Sequence, residues 1–377
     1  MEIALTDDQE FFRDTTRKFL ERECPIVTVR GLRASDTGFD RDYWRQGAEL
    51  GWTSLVVPED LGGGSVSGHG VSDLALVADA FGRHVAPGPL LPCNVVALAL
   101  ARSGSAEQQD TILPAIVSGE VVATWAFTEA PPHDRLGDIA LRAEADGSEW
   151  VLTGTKSPVE AGAEADHLLV TAATDAGPAQ FLVAPDVPGL TVTPLRSVDL
   201  VRRFARIEFD GVRVPASAAV GEAGDAAADV EQQLRLAGVV QTEEMDGAAD
   251  TIFDLTLDWA FSRYSFGRPL ASYQEIKHRF ADMKLWLEAS HAVADAAARH
   301  VQSDDAEAAT GVSVAKSYAG HYLAELAHDC VQLHGGIGLT YEHDLHLFLR
   351  RIVVDRLTYG TPADHRLRLA ALRARAA

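Results

Sequence analysis

The sequence predicts an α+β fold in which helices and strands occupy separate stretches of the chain. Apolar residues recur at helical spacing through the first 120 residues, short alternating runs follow, and long amphipathic segments return near residue 229. Helices, then strands, then helices are typical of segregated layers rather than of repeated β–α units. With 377 residues the chain can form more than one packed unit. We predict an N-terminal helical domain (1–120), a middle β-sandwich or barrel domain (121–228) and a C-terminal helical bundle (229–377).

The N-terminal segment carries the start and stop signals of helices. Thr6 is an N-cap candidate with Gln9 at the third helical position, the pattern of a capping box. A Pro- and Gly-rich stretch over 57–64 predicts a loop. Helical spacing then resumes in three segments, which cover residues 72–81, 92–103 and 106–117.

The middle segment reads as a compact β unit. Seven short runs rich in β-branched and aromatic residues lie between residues 121 and 209, and turns such as Asp146-Gly147 and Asp210-Gly211 separate them. Taken alone, this unit could be a sandwich or barrel with no site of its own. After residue 229 the amphipathic spacing predicts long helices, which cover residues 254–263, 274–301, 310–333, 343–358 and 362–377.

Composition and charge exclude several classes of function. The formal net charge of −22 argues against nucleic-acid binding, which draws its affinity from clustered Lys and Arg. Cys24, Cys93 and Cys330 form no CxxC pair, so neither a disulfide framework nor a structural metal site is expected. No apolar run approaches the ~18 residues of a membrane span, and the acidic N-terminus lacks an apolar signal core. A cytoplasmic location is the resulting expectation.

The segment from Arg263 to Gln274 is the first candidate binding motif. It contains Arg263, Ser265, Phe266 and Gly267 next to the predicted end of a helix. A pyrophosphate needs a bidentate cation together with hydroxyl or amide donors, and Arg263 and Ser265 are close enough to serve one phosphate group. The alternative is that Arg263 caps the C-terminus of its own helix, where a cation interacts favourably with the dipole.

This segment is similar to the R-x-x-F-G-x-x-L-x-x-x-Q signature of the acyl-CoA dehydrogenase superfamily, and the resemblance spans essentially the whole chain. It implies a helical domain, a β-domain and a four-helix bundle. It also implies FAD as cofactor, α,β-oxidation of an acyl thioester with hydride transfer to FAD, and an electron-transfer flavoprotein as acceptor. By resemblance Arg263 and Ser265 contact the FAD pyrophosphate, Phe266 belongs to the signature and Gln274 supports the adenine end.

Two further segments resemble FAD-binding parts of the same family. Gln332 with Gly335 and Gly336 matches a Q-x-x-G-G-x-G run, in which the amide and the backbone meet the FAD of a neighbouring subunit. Glycine permits close backbone approach, although two glycines after a helix are also an ordinary C-cap. In the middle segment Thr128 follows Trp125-Ala126-Phe127 and resembles the Thr that presents its hydroxyl to the flavin ring.

The sequence departs from the family around the flavin ring. Ala130-Pro131-Pro132-His133-Asp134-Arg135 stands where the family has P-x-A-G-S-D, and Ser157-Pro158-Val159-Glu160 stands where it has x-W-I-T. Pro158 therefore replaces the indole that shields the flavin, and Glu160 replaces a hydroxyl donor. A carboxylate there would oppose the negative charge of the reduced ring.

The catalytic base of the family is also replaced. Tyr359 occupies the position of the usual glutamate in Thr358-Tyr359-Gly360-Thr361, and Ala237 occupies the alternative position on the preceding helix. A tyrosine with a pKa near ~10 is a poor base at neutral pH, so Tyr359 would serve as a hydrogen-bond donor or a shape element. Glu243 and Glu244 could substitute, but a solvated helix face is the favoured interpretation for them.

Two hypotheses follow. In the first, the chain is an active FAD-dependent acyl-CoA dehydrogenase acting on an acyl-CoA or acyl-carrier thioester. In the second, it is a non-catalytic partner subunit that contributes FAD-pyrophosphate contacts to a related chain. Segments such as 199–203 and 357–366 resemble bacterial members that degrade steroids and other bulky acyl groups, where two related chains often assemble and one lacks the base. A homo-oligomer and a heteromer both stay open, and the whole-chain resemblance favours the enzyme.

Overall fold

The computed structural model describes residues 5–35, 37–133 and 136–376. The chain begins with seven α-helices: α1 (Asp7–Glu23), α2 (Ile26–Gly31), α3 (Arg41–Glu49), α4 (Gly70–His84), α5 (Leu90–Ser103), α6 (Ala106–Thr111) and α7 (Leu113–Val117). Eight strands follow: β1 (Ala123–Ala126), β2 (Arg142–Asp146), β3 (Glu149–Glu160), β4 (His167–Ala173), β5 (Pro178–Val183), β6 (Leu190–Leu195), β7 (Phe204–Pro215) and β8 (Ala219–Val220). The remainder is helical apart from one short hairpin: α8 (Ala227–Ser262), β9 (Tyr264–Ser265), β10 (Arg268–Pro269), α9 (Gln274–Gln302), α10 (Ala308–His334), α11 (Leu345–Leu357) and α12 (Pro362–Ala376).

This order confirms the predicted α+β class with helices at both ends of the chain and strands between them. The domain boundaries at 120/121 and 228/229 stay predictions. The capping box of α1 is present, since the Thr6 hydroxyl accepts from the backbone N–H of Gln9 and the Gln9 side chain accepts from the N–H of Thr6. The helix predicted over 106–117 is divided into α6 and α7, because Pro114 has no N–H to continue the helical ladder.

The strands form one mixed sheet in the order β6-β7-β3-β2-β4-β5-β8, and β1 pairs in parallel with β4 beside this path. Most neighbours are antiparallel, including the long β3–β7 pair, whose register shifts between Lys156 and Val159. The register of β1 with β4 places Ala126 opposite Val170, so that the chain leaves β1 towards Thr128 from the interior of the sheet. The residues that resemble the flavin-ring site therefore follow directly from buried strands.

By internal contacts the chain divides into two compact units. One contains Gly31–Leu74 and Pro87–Ala237, and so includes the sheet. The other contains Met1–Arg30, Ala75–Ala86 and Gly238–Ala377, of which the described residues form a helical unit. In the helical unit α10 packs against α9, α11 and α12. No helix among the described residues is long and apolar enough to cross a membrane.

Candidate functional site

Arg263 lies at the exposed end of α8 and carries an available positive charge. Its guanidinium lies over the indole of Trp259, with 5.7 Å from Cζ to the ring centroid. Within the described residues its side chain forms neither an ion pair nor a hydrogen bond, so it does not cap the last carbonyl groups of α8. A cation held on an aromatic face without a carboxylate can accept an anionic ligand at little cost.

Trp259 brings the two sequence motifs together. Its Nε1 donates to the carbonyl oxygen of Leu333 at 3.2 Å, and its ring stacks on His334 with centroids 5.2 Å apart. Both residues lie at the end of α10, next to Gln332 and Gly335. The end of α8 with its arginine and the end of α10 with its glycines are thus adjacent on the surface of the helical unit.

Gly335 serves as the C-cap of α10 and still leaves room for a ligand. Its φ of +68° suits glycine, and its N–H donates to the carbonyl oxygens of Gln332 and Val331. A Cβ built on Gly335 or Gly336 would meet nothing within 4 Å. The C-cap interpretation is therefore correct, and it is compatible with close approach of a ligand to the same backbone.

The turn after Arg263 presents further donors. Tyr273 donates its hydroxyl to the carbonyl oxygen of Ser265 at 2.7 Å, which fixes the β9–β10 hairpin, and Phe266 at its tip is 97% exposed. The side chains of Ser265, Gln274 and Gln332 have no hydrogen-bond partner in the part of the chain that the structure describes. A guanidinium, a hydroxyl, two amides and an open glycine backbone suit the pyrophosphate and adenine end of FAD. Assignment of these residues to FAD stays a prediction.

In the sheet unit a buried ion pair fixes the backbone around Thr128. Lys156 Nζ donates to Glu129 Oε1 at 2.6 Å and to the carbonyl oxygen of Phe127 at 3.0 Å. The Glu129 carboxylate also accepts from the backbone N–H groups of Ala140 and Leu141. Burial lowers the pKa of Lys156 to about 8, although Glu129 opposes the shift. This pair ties the segment that follows β1 to β3.

The hydroxyl of Thr128 is available to a ligand. The residue is half-buried, its carbonyl oxygen accepts from Ser157 N at 2.8 Å, and its side chain has no hydrogen-bond partner among the residues that the structure describes. Its predicted contact with the flavin ring is therefore sterically and chemically possible, and it stays a prediction.

The negative charge of Glu160, one of the departures from the family at the flavin-ring end, is compensated in the structure. Glu160 forms an ion pair with Arg202, with 3.2 Å between Oε1 and Nε, and both side chains are less than 10% exposed. The expected unbalanced negative charge is therefore neutralised by a cation 42 residues further along the chain. Asp134 and Arg135, which belong to the other departure, lie outside the described residues.

The chain has no carboxylate at the two positions that the family resemblance predicts for the base. Tyr359 is buried, has a φ of +52° and follows the end of α11, while Ala237 is completely buried in α8. A left-handed conformation is unfavourable for a residue with a Cβ and persists where its surroundings fix it.

Buried side chains fix this segment from both sides. Lys316 Nζ donates to Gln241 Oε1 at 2.6 Å and to the carbonyl oxygens of Asp355 and Thr358 at 2.5 and 3.1 Å. Gln241 in turn donates to the Thr358 hydroxyl. On the other side His365 Nε2 lies 3.2 Å from the carbonyl oxygen of Tyr359. Burial and the Lys316 charge lower the pKa of His365 to about 3, so this imidazole is neutral and donates from Nε2.

The interpretation of Glu243 and Glu244 as a solvated face is wrong, because both side chains are buried. Helix α8 is covered on more than one side by the bundle at this point. The spacing of its charged residues therefore does not identify a solvent-exposed face. Glu244 pairs with Arg351, which also donates to the carbonyl oxygen of Ala86. Glu243 keeps one buried carboxylate oxygen without a partner, and burial raises its pKa well above the ordinary range.

Sequence reasoning missed Trp259, Arg202 and Lys316. Trp259 lies four residues before Arg263, at the spacing that brings side chains together on one helix face, and this signal could have been used. Arg202 and Lys316 act on residues far away in sequence, and no local pattern reveals such pairs.

Comparison with known proteins gives a consistent result. Residues 6–120 match the family model described as acyl-CoA dehydrogenase, N-terminal domain, and residues 230–372 match acyl-CoA dehydrogenase, C-terminal domain. The chain is 29% identical over 347 residues to the acyl-CoA dehydrogenase IpdE2 of Mycobacterium tuberculosis, covering 92% of this chain and 91% of that protein. It is 31% identical over 357 residues to FadE27 of the same organism, covering 92% of each.

Solved structures show the same likeness. The ChsE4–ChsE5 complex of Mycobacterium tuberculosis contains a chain with 28% identity and a TM-score of 0.89, and the match covers 99% of both chains. A glutaryl-CoA dehydrogenase of Mycobacterium smegmatis in complex with FADH2 matches with 25% identity and a TM-score of 0.86, over 99% of this chain and 96% of that one. These similarities confirm the predicted family and fold, and the relatives include an FAD-binding enzyme, as predicted. The chain belongs to the acyl-CoA dehydrogenase family.

Proposed function

We propose that this chain is one subunit of a heteromeric, FAD-dependent acyl-CoA dehydrogenase. In this assembly it contributes contacts to the FAD pyrophosphate, and a related chain supplies the catalytic base. One observation carries the proposal: neither base position holds a carboxylate, while the donor surface around Arg263 is exposed and unpaired. A partner subunit needs the donors for the FAD pyrophosphate but does not need the catalytic base. Loss of the base together with retention of these donors therefore fits this role.

Among the described residues, the candidates to replace the missing base are poorly suited to the task. Removal of an α-proton needs a group whose pKa is suited to neutral pH and whose atoms reach the substrate. Glu244 is engaged by Arg351, and Glu243 is buried among other acids. Tyr359 supplies a phenol, which suits a shape or hydrogen-bonding role better than proton abstraction.

The residues of this chain would act on FAD as donors and spacers. When bound, FAD accepts the hydride in the family reaction. Arg263 balances the pyrophosphate charge, Ser265 and the amides of Gln274 and Gln332 donate hydrogen bonds, and Gly335 and Gly336 allow close approach of the backbone. The hydroxyl of Thr128 is the donor that this chain offers towards a flavin ring.

Relatives support the heteromer and the substrate class. The ChsE4–ChsE5 structure is a complex of two differently named chains, and the Tcur3481–Tcur3483 steroid acyl-CoA dehydrogenase, a variant of which has 28% identity and a TM-score of 0.88, is also named for two components. For this chain we therefore propose an acyl-CoA with a bulky, steroid-like acyl group. Transfer of electrons to an electron-transfer flavoprotein and a cytoplasmic location are part of the same proposal.

The test is the flavin content of the protein, purified alone and after co-expression with a related chain that carries the base glutamate. We expect little flavin when the chain is purified alone, and a stable complex that contains FAD and is bleached by an acyl-CoA. One FAD per chain in the protein purified alone, bleached by an acyl-CoA, would refute the partner role.

The second candidate function is an independent flavoenzyme. The observation in its favour is that the hydroxyl of Thr128 is available to a ligand, on backbone that the Glu129–Lys156 pair holds in place. If the protein is active alone, an undiminished rate in Tyr359→Phe would exclude the Tyr359 hydroxyl from the reaction.

A further inference from the structure

Helices α4 and α8 cross with almost no space between their backbones. A Cβ on Gly82 would overlap the carbonyl oxygen of Glu244, and a Cβ on Gly247 would overlap that of Asp79. This crossing places the charged residues of α4 against the middle of α8, where Arg83 forms ion pairs with both Asp79 and Asp250.

Two acidic side chains on this part of α8 are buried without sufficient partners. Asp246 is completely buried, and neither of its carboxylate oxygens has a hydrogen-bond partner among the residues that the structure describes; Oε1 of Glu243 has none there either. Being three residues apart, the two side chains lie on the same helix face. The buried hydroxyl of Ser290 faces Asp246 without forming a hydrogen bond of ordinary geometry.

His291 of α9 is the cation next to these acids. Its Nδ1 lies 3.7 Å from Asp246, and its Nε2 lies 3.3 Å from Asp250. Because a buried unpaired carboxylate is very unfavourable, the arrangement is stable only if His291 is charged or the acids are protonated.

Within the described ranges, the surrounding charges do not neutralise the group completely. The cations are Arg17 of α1, Arg83 of α4, and His291 and Arg299 of α9, while Lys284 and Asp254 lie at the margin. Arg17 and Arg83 bind Asp79, Arg83 also binds Asp250, and Arg299 acts on Asp295. Glu243 is left facing Asp246, Asp295 and Asp79, with His291 as the opposing charge.

We propose that Glu243, Asp246 and His291 form a pH-sensitive latch that holds α8 against α9, tight when one of the two acids is protonated and weakened when that proton is lost. The proton replaces a missing cation, because it removes one buried negative charge. The latch is distant from the donor surface around Arg263, because Asp246 lies 17 residues before Arg263 and a helical rise of about 1.5 Å per residue separates them by about 25 Å along α8.

The titration behaviour of the group agrees with this geometry. Burial raises the pKa of Asp246 to about 7, against the opposing effect of His291. Hydrogen bonding to Asp250 and the charge of Asp246 outweigh burial and raise the pKa of His291 to about 10. For both groups the folded state holds the proton more tightly than the unfolded state. Their stabilisation is therefore complete at low pH and is lost as pH rises, between about 4 and 7 for Asp246 and between about 6.5 and 10 for His291.

The test compares the thermal midpoints of the full-length wild type and Asp246→Asn from pH 5 to pH 8.5. Asparagine imitates the protonated acid. We therefore expect the thermal midpoint of Asp246→Asn to increase relative to that of the wild type as pH rises, by about 3 °C or more across the range. Glu243→Gln should show the same trend, which keeps the test decisive if one variant fails to fold. His291→Gln should be least stable relative to wild type at the acid end of the range, and the difference should narrow above about pH 6.5, because the stabilisation by charged His291 is lost as pH rises.

Asp258→Asn, on the exposed side of the same helix, is the matched control and should differ from wild type by an amount that does not change with pH. A constant difference between wild type and both Asp246→Asn and Glu243→Gln across the range would overturn the proposal.

Discussion

At the scale of single residues, Arg263 and Arg268 lie in the same turn but are differently engaged. Arg268 lies tightly on the ring of Tyr273, with 3.7 Å from Cζ to the centroid, whereas Arg263 lies more loosely over Trp259. Spacing alone does not distinguish the two arginines. Their surroundings identify Arg263 as the one available to an anion and Arg268 as a brace of the hairpin.

This difference predicts unequal effects on cofactor binding. Arg263→Ala should weaken FAD binding about 10- to 100-fold in the assembly that carries flavin, because a charged hydrogen bond contributes roughly 1.5–3 kcal/mol. Arg268→Ala is the control and should change FAD affinity little. Flavin fluorescence titration of the apoproteins measures both, and equal losses would contradict the assignment of Arg263 to the pyrophosphate.

At the scale of elements, the end of α11 is held by residues from other helices. Lys316 of α10 and Gln241 of α8 bind the carbonyl and hydroxyl groups of Thr358, while His365 of α12 binds the next carbonyl. The left-handed backbone at Tyr359 is thus a product of packing between helices rather than of its own sequence.

A double-mutant cycle tests this coupling. Lys316→Met should destabilise the protein by about 3 kcal/mol, because it leaves buried acceptors without a donor. In a Tyr359→Gly background the loss should be about 1 kcal/mol smaller, since glycine adopts positive φ without strain. Urea unfolding of the four proteins gives the coupling energy, and Lys277→Met, an exposed lysine of α9, is the control. Strict additivity would show that Lys316 does not act on residue 359.

At the scale of the whole molecule, local patterns predicted the class of fold and the capping of α1. Hydrophobic spacing and turn residues depend on neighbours in sequence, so these features can be read without a structure. The motifs around Arg263 and Gln332 were found for the same reason. Their adjacency was not predicted, because it depends on Trp259 meeting the end of another helix.

The pairs that connect distant residues could not be predicted. The sequence around Glu160 predicts an unfavourable charge, which Arg202 neutralises in the structure. Glu243 is predicted to be solvated, because acidic residues of a helix usually face water, but its side chain is buried. Residues 236–249 of α8 are buried on every side of the helix, so periodicity misassigns the charges in this part. Burial and pairing are properties of tertiary structure, and they decide which acids can act as bases.

The stack of Arg263, Trp259 and His334 also makes the indole a built-in optical reporter. A ligand that draws the guanidinium away from the ring changes the environment of the excited indole, and with it the emission of Trp259. We expect ADP, which carries the pyrophosphate without a flavin, to change the tryptophan fluorescence of the wild type but not of Trp259→Phe. An identical response from both proteins would place the nucleotide elsewhere. Ligand binding at this surface can then be followed by tryptophan fluorescence, independently of whether the chain catalyses a reaction of its own.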